Sequence, residues 1–508
     1  MTVQAPSRHD PVVRGASALV GGPRGAHAVG RASRWWTPLR ILLAVTLMTS
    51  VVGFLAKSPC RTNPWSDEYQ YTRTCYTDVF ALYYSEGLVG NDTTRMAVPY
   101  RDHPVEYPPV IGGLMWVAAS VADVVHPHDP HTAANGIVVD HRSLVFFDVT
   151  ALLLTAFALL TTWAVARLAG RERVWDAAMF ALAPGLFLHA FTNWDLAAVA
   201  FAMVGLWAWS RGSPVLAGAL LGVGIATKLY PVLLLLALLL LCFRSRRLRA
   251  WLSAAAAAAV TTVLCYLPAI VLSAQTSTQL RSSVFQFPTQ ANCPTHYLAG
   301  WRWFWTVNTT RPADWDSLWF QLQHLRGHPL DSAQCGAAPV WLNFWVAIAT
   351  VTVIGAVSLL VLAAPRRPRV AQVAFLLVAG FLLVNKVFSP QYVLWLIPLA
   401  VLARPRWRAF LAWQVTEIAV LVSRFYFFVG NDHPGQGAPI EVFFTAVLLR
   451  DLALAVVMGL VVRDILRPDA DVVRAAGRDD PAGGVLEDAP DRWSRPSPRR
   501  PAGAAATA

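Results

Sequence analysis

The chain has 508 residues, of which 56% are hydrophobic and only 14% charged, against roughly 25% charged in a soluble domain. That balance excludes a water-soluble globular fold, and continuous apolar runs such as 232–242 and 254–270 exclude a membrane barrel, whose strands alternate. The net charge of +12 sits mostly in short arginine clusters between apolar runs, as in cytoplasmic turns rather than a nucleic-acid surface.

Residues 1–38 are polar and Gly-rich and carry arginine, and read as a disordered basic cytoplasmic N-terminus. The apolar run that follows lacks a small-residue cleavage site and reads as a retained span. Orientation is fixed by Arg31 and Arg34, by Arg167, Arg171 and Arg173, and by Arg244, Arg246, Arg247 and Arg249. It is fixed further along by Arg366, Arg367 and Arg369, by Arg404, Arg406 and Arg408, and by Arg463 and Arg467, all placed inside by the positive-inside rule. Spans near 39–56, 143–166, 175–191, 195–210, 214–227, 229–243, 250–273, 340–363, 370–386, 389–403, 408–428 and 438–462 satisfy every cluster. The expected fold is an all-α polytopic membrane protein of about twelve transmembrane helices, occupying 39–462.

Residues 108–125 are also apolar, but a crossing there inverts the parity of the next cluster. Pro108, Pro109, Gly112 and Gly113 weaken its helical start, so it is expected as an interfacial helix on the outer surface. A crossing fits only if 214–243 is one long tilted helix. Two large outer loops result, 57–142 and 274–339. The first carries ten acidic residues against six basic, the reverse of the cytoplasmic turns. Cys60 and Cys75 fall in the first loop, Cys293 and Cys335 in the second. Disulfides Cys60–Cys75 and Cys293–Cys335 in an oxidising compartment are the simplest reading, and four free thiols the alternative. Residues 463–508, rich in Pro, Ala, Asp and Arg, read as a disordered cytoplasmic tail.

Several residues could carry chemistry. Asp78 opens the amphipathic stretch Asp78-Val79-Phe80-Ala81-Leu82-Tyr83-Tyr84. There it is either a general base at the membrane surface or an ordinary solvated aspartate. Asp67, Glu68, Glu86, Asp92, Asp102 and Glu106 compete for that role. Asp195 follows Asn193-Trp194 as a helix cap, a site residue, or both. The chain has three lysines, Lys57, Lys228 and Lys386, all expected at the outer boundary, where they hold a lipid phosphate or snorkel to headgroups. Outer lysine runs against the usual charge bias, which favours function for Lys228 and Lys386. The aromatic-rich second loop suits sugar stacking or an interfacial belt. Asp314-Trp315-Asp316 is a pattern that chance readily produces. Glu417 and Arg424, seven residues apart on one span, read as an internal ion pair. The histidines form no ligand set, so no metal and no cofactor is assigned.

The segments Asp78-Val79-Phe80-Ala81-Leu82-Tyr83, Tyr107-Pro108-Pro109, Trp194-Asp195, Lys228-Leu229-Tyr230-Pro231 and Ser389-Pro390-Gln391-Tyr392 together resemble a known family. They are similar to the polytopic, polyprenyl-phosphate-sugar-dependent glycosyltransferases of GT-C type, most of all the family 87 group of actinobacterial mannosyl- and arabinofuranosyltransferases. The resemblance implies a GT-C fold whose two extracytoplasmic loops carry interfacial helices, in the plasma membrane, with Asp78 as base. It implies substrate contacts from Glu106, Tyr107, Asp195, Lys228, Tyr230, Lys386, Gln391 and Tyr392. The implied partners are a polyprenyl-phosphate sugar donor, mannose first, an envelope glycan or glycolipid acceptor, and membrane lipid. Transfer proceeds with inversion. An arabinofuranosyltransferase of the same fold and a flippase for polyprenyl-linked lipid are the competing expectations.

Overall fold

Proline sets the start of many of the apolar helices. Pro38, Pro109, Pro184, Pro214 and Pro231 occupy the first turn of their helices, where the missing N–H costs nothing and φ is already helical. Side-chain caps supply other starts. Thr77 accepts from the Val79 amide at the head of helix Asp78–Ser85. Asp140 and Ser143 form a reciprocal capping box on helix His141–Ala169, satisfying amides that a helix end leaves orphaned.

The computed structural model describes residues 10–19, 35–62, 65, 68–89, 97–126, 139–273, 275–278, 296–331, 337–433, 435–475, 477 and 479–491. Among these, six helices are long and apolar enough to cross a membrane: Pro38–Ala56, His141–Ala169, Leu248–Leu272, Val340–Ala363, Trp407–Asn431 and Ile440–Leu466. Six shorter apolar helices accompany them, Pro109–Val125, Asp195–Ser210, Pro214–Ile225, Pro231–Arg244, Val370–Val384 and Pro390–Ala403. The protein is an all-α polytopic membrane protein, with one small antiparallel ribbon, Gln275–Thr278 against His296–Ala299.

The expected span at 175–191 is not one helix. It breaks into Val174–Ala177, Ala178–Ala181 and Pro184–His189, because Pro184 cannot donate back into the preceding turn. Residues 109–125 form a single helix that packs one face on His141–Ala169 and is tied to it by an ion pair between Asp123 and Arg142.

Asp195–Ser210, Val370–Val384 and Val393–Ala403 are buried along almost their whole length and form the centre. Leu248–Leu272 and Val340–Ala363 expose most of their apolar surface and stand where lipid would cover them. Close packing rests on small residues. A Cβ on Gly218 would meet the Ala254 carbonyl oxygen at 2.0 Å, and one on Gly222 the Ala258 oxygen at 2.5 Å. This small-xxx-small contact lets two helices approach backbone to backbone.

The arginine turns gather at one end of the bundle, and there the chain termini depart from expectation. The described residues of 463–491 pack against the bundle, and 476, 478 and 492–508 lie outside the described set. Arg369 is fully buried and holds Asp471 through two bonds, at 2.7 and 3.1 Å. Asp480 accepts from the Val370 amide at 2.8 Å. Asp491 takes Arg244 at 2.6 and 2.9 Å. The Trp209 indole donates to Gly483, and Gly484 lies so close to the Trp209 carbonyl that no side chain fits. The N-terminal segment also holds structure: Pro11–Leu19 is helical, and Asp10 accepts from the Trp407 amide at 3.3 Å. Carboxylates of the C-terminal segment neutralise arginines that composition alone places in solvent.

Candidate active site

A cavity of about 990 Å³ opens at the other end of the same helices. Tyr230, just before helix Pro231–Arg244, lines it, while Arg244 at that helix's far end holds the C-terminal segment. Lys57, Lys228 and Lys386 all line this cavity, together with Asp78.

Asp78 is fixed from both sides of the chain. The disulfide Cys60–Cys75 closes the segment before it, and the Thr77 hydroxyl donates to the Phe191 carbonyl at 2.6 Å. The Asp78 amide donates to the Thr192 carbonyl at 2.9 Å. The next residue along that strand of contacts, Asn193, donates from one amide nitrogen to Asp78 Oδ2 at 2.7 Å and to the Tyr107 hydroxyl at 2.8 Å. Its own oxygen accepts from the Trp194 amide, which fixes which way the amide faces. The carboxylate is therefore oriented by a side chain whose two donors are both committed.

The Lys228 ammonium lies 5.4 Å from the Tyr107 ring and 5.4 Å from the Tyr392 ring. Tyr392, Trp395 and Tyr230 stack in turn, with centroids 4.1 and 4.5 Å apart. Asp195 forms an ion pair with Lys228 at 2.9 Å and accepts from the Trp395 indole at 2.7 Å. Burial disfavours the Lys228 charge, but Asp195, Tyr392 and Asp78 outweigh it and hold the ammonium's pKa above its ordinary value. Asp195 itself is fully buried behind the lysine and does not line the cavity. A substrate contact was expected of it, whereas its described partners are Lys228 and the Trp395 indole.

Glu106 lines the cavity beside Tyr107, and Gln391 lines it beside Tyr392. The Glu106 amide donates to the buried Glu86 carboxylate at 3.2 and 3.3 Å. Burial pushes the Glu106 carboxyl up to about 7, with Arg311 opposing and Asp78 assisting. Burial and then the Glu106 charge push Glu86 well above its ordinary range. Between the ordinary value of 4.5 and about 7 the folded pair holds protons that the unfolded chain releases, so stability falls as pH rises through that window. The thermal unfolding midpoint in detergent is expected to drop across it, and Glu86→Gln to flatten the drop; an unchanged slope in that variant contradicts the assignment.

The second loop supplies the facing wall. Lys386 donates to the Arg311 carbonyl at 2.7 Å, to Asn343 Oδ1 at 2.7 Å and to the Thr309 carbonyl at 3.4 Å. Its three N–H groups are spent on neutral acceptors, which departs from the phosphate-holding role expected of it; burial, aided by Arg311, lowers its pKa to about 8. The Asp314-Trp315-Asp316 pattern is structural rather than chance. Asp314 accepts from Ser389 at 3.1 Å and pairs with Arg311 at 3.5 Å, while Asp316 pairs with Arg424 at 3.0 Å. Arg424 thus does not pair with Glu417, whose carboxylate accepts from the Trp413 indole at 2.8 Å. Cys293 and Cys335 lie outside the described residues, as do Asp67 and Asp92. Asn193, Arg311 and His189 line the cavity and carry no motif that flags them in the sequence.

Among the described residues no three His, Cys, Asp or Glu side chains are placed to hold a metal ion. The chain matches the model of glycosyltransferase family 87 over residues 107–390, more than half its length. The chain belongs to glycosyltransferase family 87. The match runs from Tyr107 through Asn193, Asp195 and Lys228 to Pro390, and so takes in most of the cavity wall while stopping short of Asp78 on its N-terminal side. No curated protein sequence matches the chain. Among solved structures it is similar to the crystal structure of the apo oligosaccharyltransferase of Archaeoglobus fulgidus, at 13% identity and a TM-score of 0.36. That alignment covers 85% of this family 87 chain and 56% of the archaeal one, so the chain spans little more than half the length of that protein.

Proposed function

We propose that this family 87 protein transfers a sugar, mannose in the first instance, from a polyprenyl phosphate to a hydroxyl of an envelope glycolipid or polysaccharide. One observation carries the reading: the Asp78 carboxylate and the Lys228 ammonium line one cavity with Tyr107, whose hydroxyl shares the Asn193 amide with Asp78 and whose ring lies 5.4 Å from the ammonium. Asp78 takes the proton of the acceptor hydroxyl as its oxygen attacks the anomeric carbon. The bond from that carbon to the phosphate oxygen breaks, the electron pair leaves with the phosphate, and configuration inverts. Charge builds on the departing phosphate, where a fixed, desolvated ammonium lowers the barrier. Lys228 is held for that by Asp195, and the Tyr107, Tyr392 and Trp395 rings shield it from water.

The arginine-rich end faces the cytoplasm in this reading, which puts the cavity on the outer face of the plasma membrane. Helices 78–85 and 109–125 then lie along that face, and about twelve helices cross. Incubating purified protein with radiolabelled mannosyl-, glucosyl- and arabinofuranosyl-phosphopolyprenols and with nucleotide sugars tests the donor. Labelled glycolipid from a polyprenyl donor alone is expected; transfer from a nucleotide sugar, or lipid movement across a vesicle without product, overturns the reading.

A further inference from the structure

The cavity has a second set of cationic and imidazole groups besides Lys228: Lys57, Arg424 and His189. Lys57, at the end of helix Pro38–Ala56, donates to the Tyr76 carbonyl at 2.6 Å, which commits one of its three N–H groups. Arg424 reaches in from helix Trp407–Asp432, paired with Asp316 through one terminal nitrogen, and its buried Nε has no acceptor. His189, at the end of helix Pro184–His189, is 1% exposed and lines the cavity, yet neither ring nitrogen has a partner. The Tyr71 and Tyr76 rings stack 5.7 Å apart and both lie against Phe425, beside Arg424. The Lys57 and Arg424 charges both act on the His189 ring, so the three groups share one stretch of wall.

This wall differs chemically from the Lys228 side. There the ammonium is already matched by a fully enclosed carboxylate. Here a buried imidazole and a buried guanidinium N–H stand without acceptors, an arrangement that costs free energy unless something completes it. An imidazole with an N–H donor, an arginine Nε–H and two free ammonium N–H groups make a donor set suited to a tetrahedral oxyanion. Burial, opposed by Asp78, lowers the Lys57 pKa to about 8, a sign of an ammonium short of solvent and of counter-charge.

We propose that Lys57, His189 and Arg424 form a second anion subsite, which takes a phosphodiester or phosphate carried by the acceptor close to the hydroxyl that Asp78 deprotonates. The inference rests on the reading of Asp78 as base and Lys228 as the donor-phosphate side. It narrows the acceptor to a phosphorylated glycoside or polyol. The Asp78 charge acts on both the Lys57 and the Lys228 ammonium, so the acceptor's anion and the donor's phosphate each lie within reach of the carboxylate beside which the reacting hydroxyl and the anomeric carbon meet.

The test compares two synthetic acceptors, an octyl glycoside and the same glycoside with a phosphodiester in the octyl linkage, on the full chain with the donor that supports transfer. The kcat/KM ratio of charged to neutral acceptor is expected to be about tenfold and to fall to about one in His189→Gln and in Lys57→Met. Equal use of both acceptors by the native chain, or a preference that survives both substitutions, overturns the proposal. Octyl phosphate binding by calorimetry gives a readout independent of transfer. It is expected to persist when Lys228→Met and Asp195→Asn are combined and to weaken about tenfold in His189→Gln. Binding lost with Lys228 and untouched by His189 places the anion on the donor side and overturns the subsite. Inorganic phosphate binding as tightly as octyl phosphate points to a free anion and does the same. Absence of transfer with every donor sinks the glycosyltransfer reading instead, while the calorimetry still decides the subsite.

Discussion

Asp78→Asn is expected to lower sugar transfer by about 10²–10⁴-fold, the share a positioned general base contributes. The substitution is nearly isosteric, and the geometry tolerates it. The Asn193 amide donates to Asp78 Oδ2, and an asparagine can offer its carbonyl oxygen to the same donor. The Asp78 backbone amide keeps its bond to Thr192, and the Thr77 cap is untouched. Loss of product with an unchanged unfolding temperature and unchanged donor binding therefore reports the lost proton acceptor. Wild-type rates in this variant move the role to Glu106, another carboxylate that lines the cavity, and Glu106→Gln separates the two.

Lys228→Met is expected to damage both stability and transfer, for separable reasons. It leaves the fully enclosed Asp195 carboxylate with the Trp395 indole as its remaining partner, since Asp195 Oδ2 has none. Breaking one side of a buried ion pair costs about 3–5 kcal/mol. Combining Lys228→Met with Asp195→Asn removes the orphaned charge, and the unfolding temperature is expected to recover. Transfer is not, because the phosphate still lacks its cation, a loss of about 10²–10³-fold. Recovery of both in the double variant would make the pair purely structural and remove Lys228 from the chemistry.

The class of this fold is legible in the sequence because apolar runs and arginine turns are local signals. The site is legible in part. Asp78, Tyr107, Lys228, Tyr230, Gln391 and Tyr392 stand in short segments that carry the resemblance, Glu106 directly precedes one of them, and all line one cavity. Asp195 stands in such a segment too, but its burial against Lys228 depends on how Trp395 packs, 200 positions away. The charge and membrane depth of Lys386 are visible in a sequence, whereas the oxygens that absorb its donors are not. Asn193 and His189 carry no charge pattern, and their importance comes from the chain crossing near Asp78. The break at Pro184 was signalled by the proline itself. The C-terminal segment failed for another reason: its aspartates read as solvated when counted alone. Set beside the arginine turns they complement, Asp471, Asp480 and Asp491 form a matched set.

That matched set bears on biosynthesis. Asp491 closes on Arg244, made 247 positions earlier, so that arginine meets its carboxylate only after every helix between the two has been synthesised. Until then the guanidinium lacks its counter-charge, and the acids at 471, 480 and 491 act as a latch that engages late in synthesis, after the spans they hold together have been made.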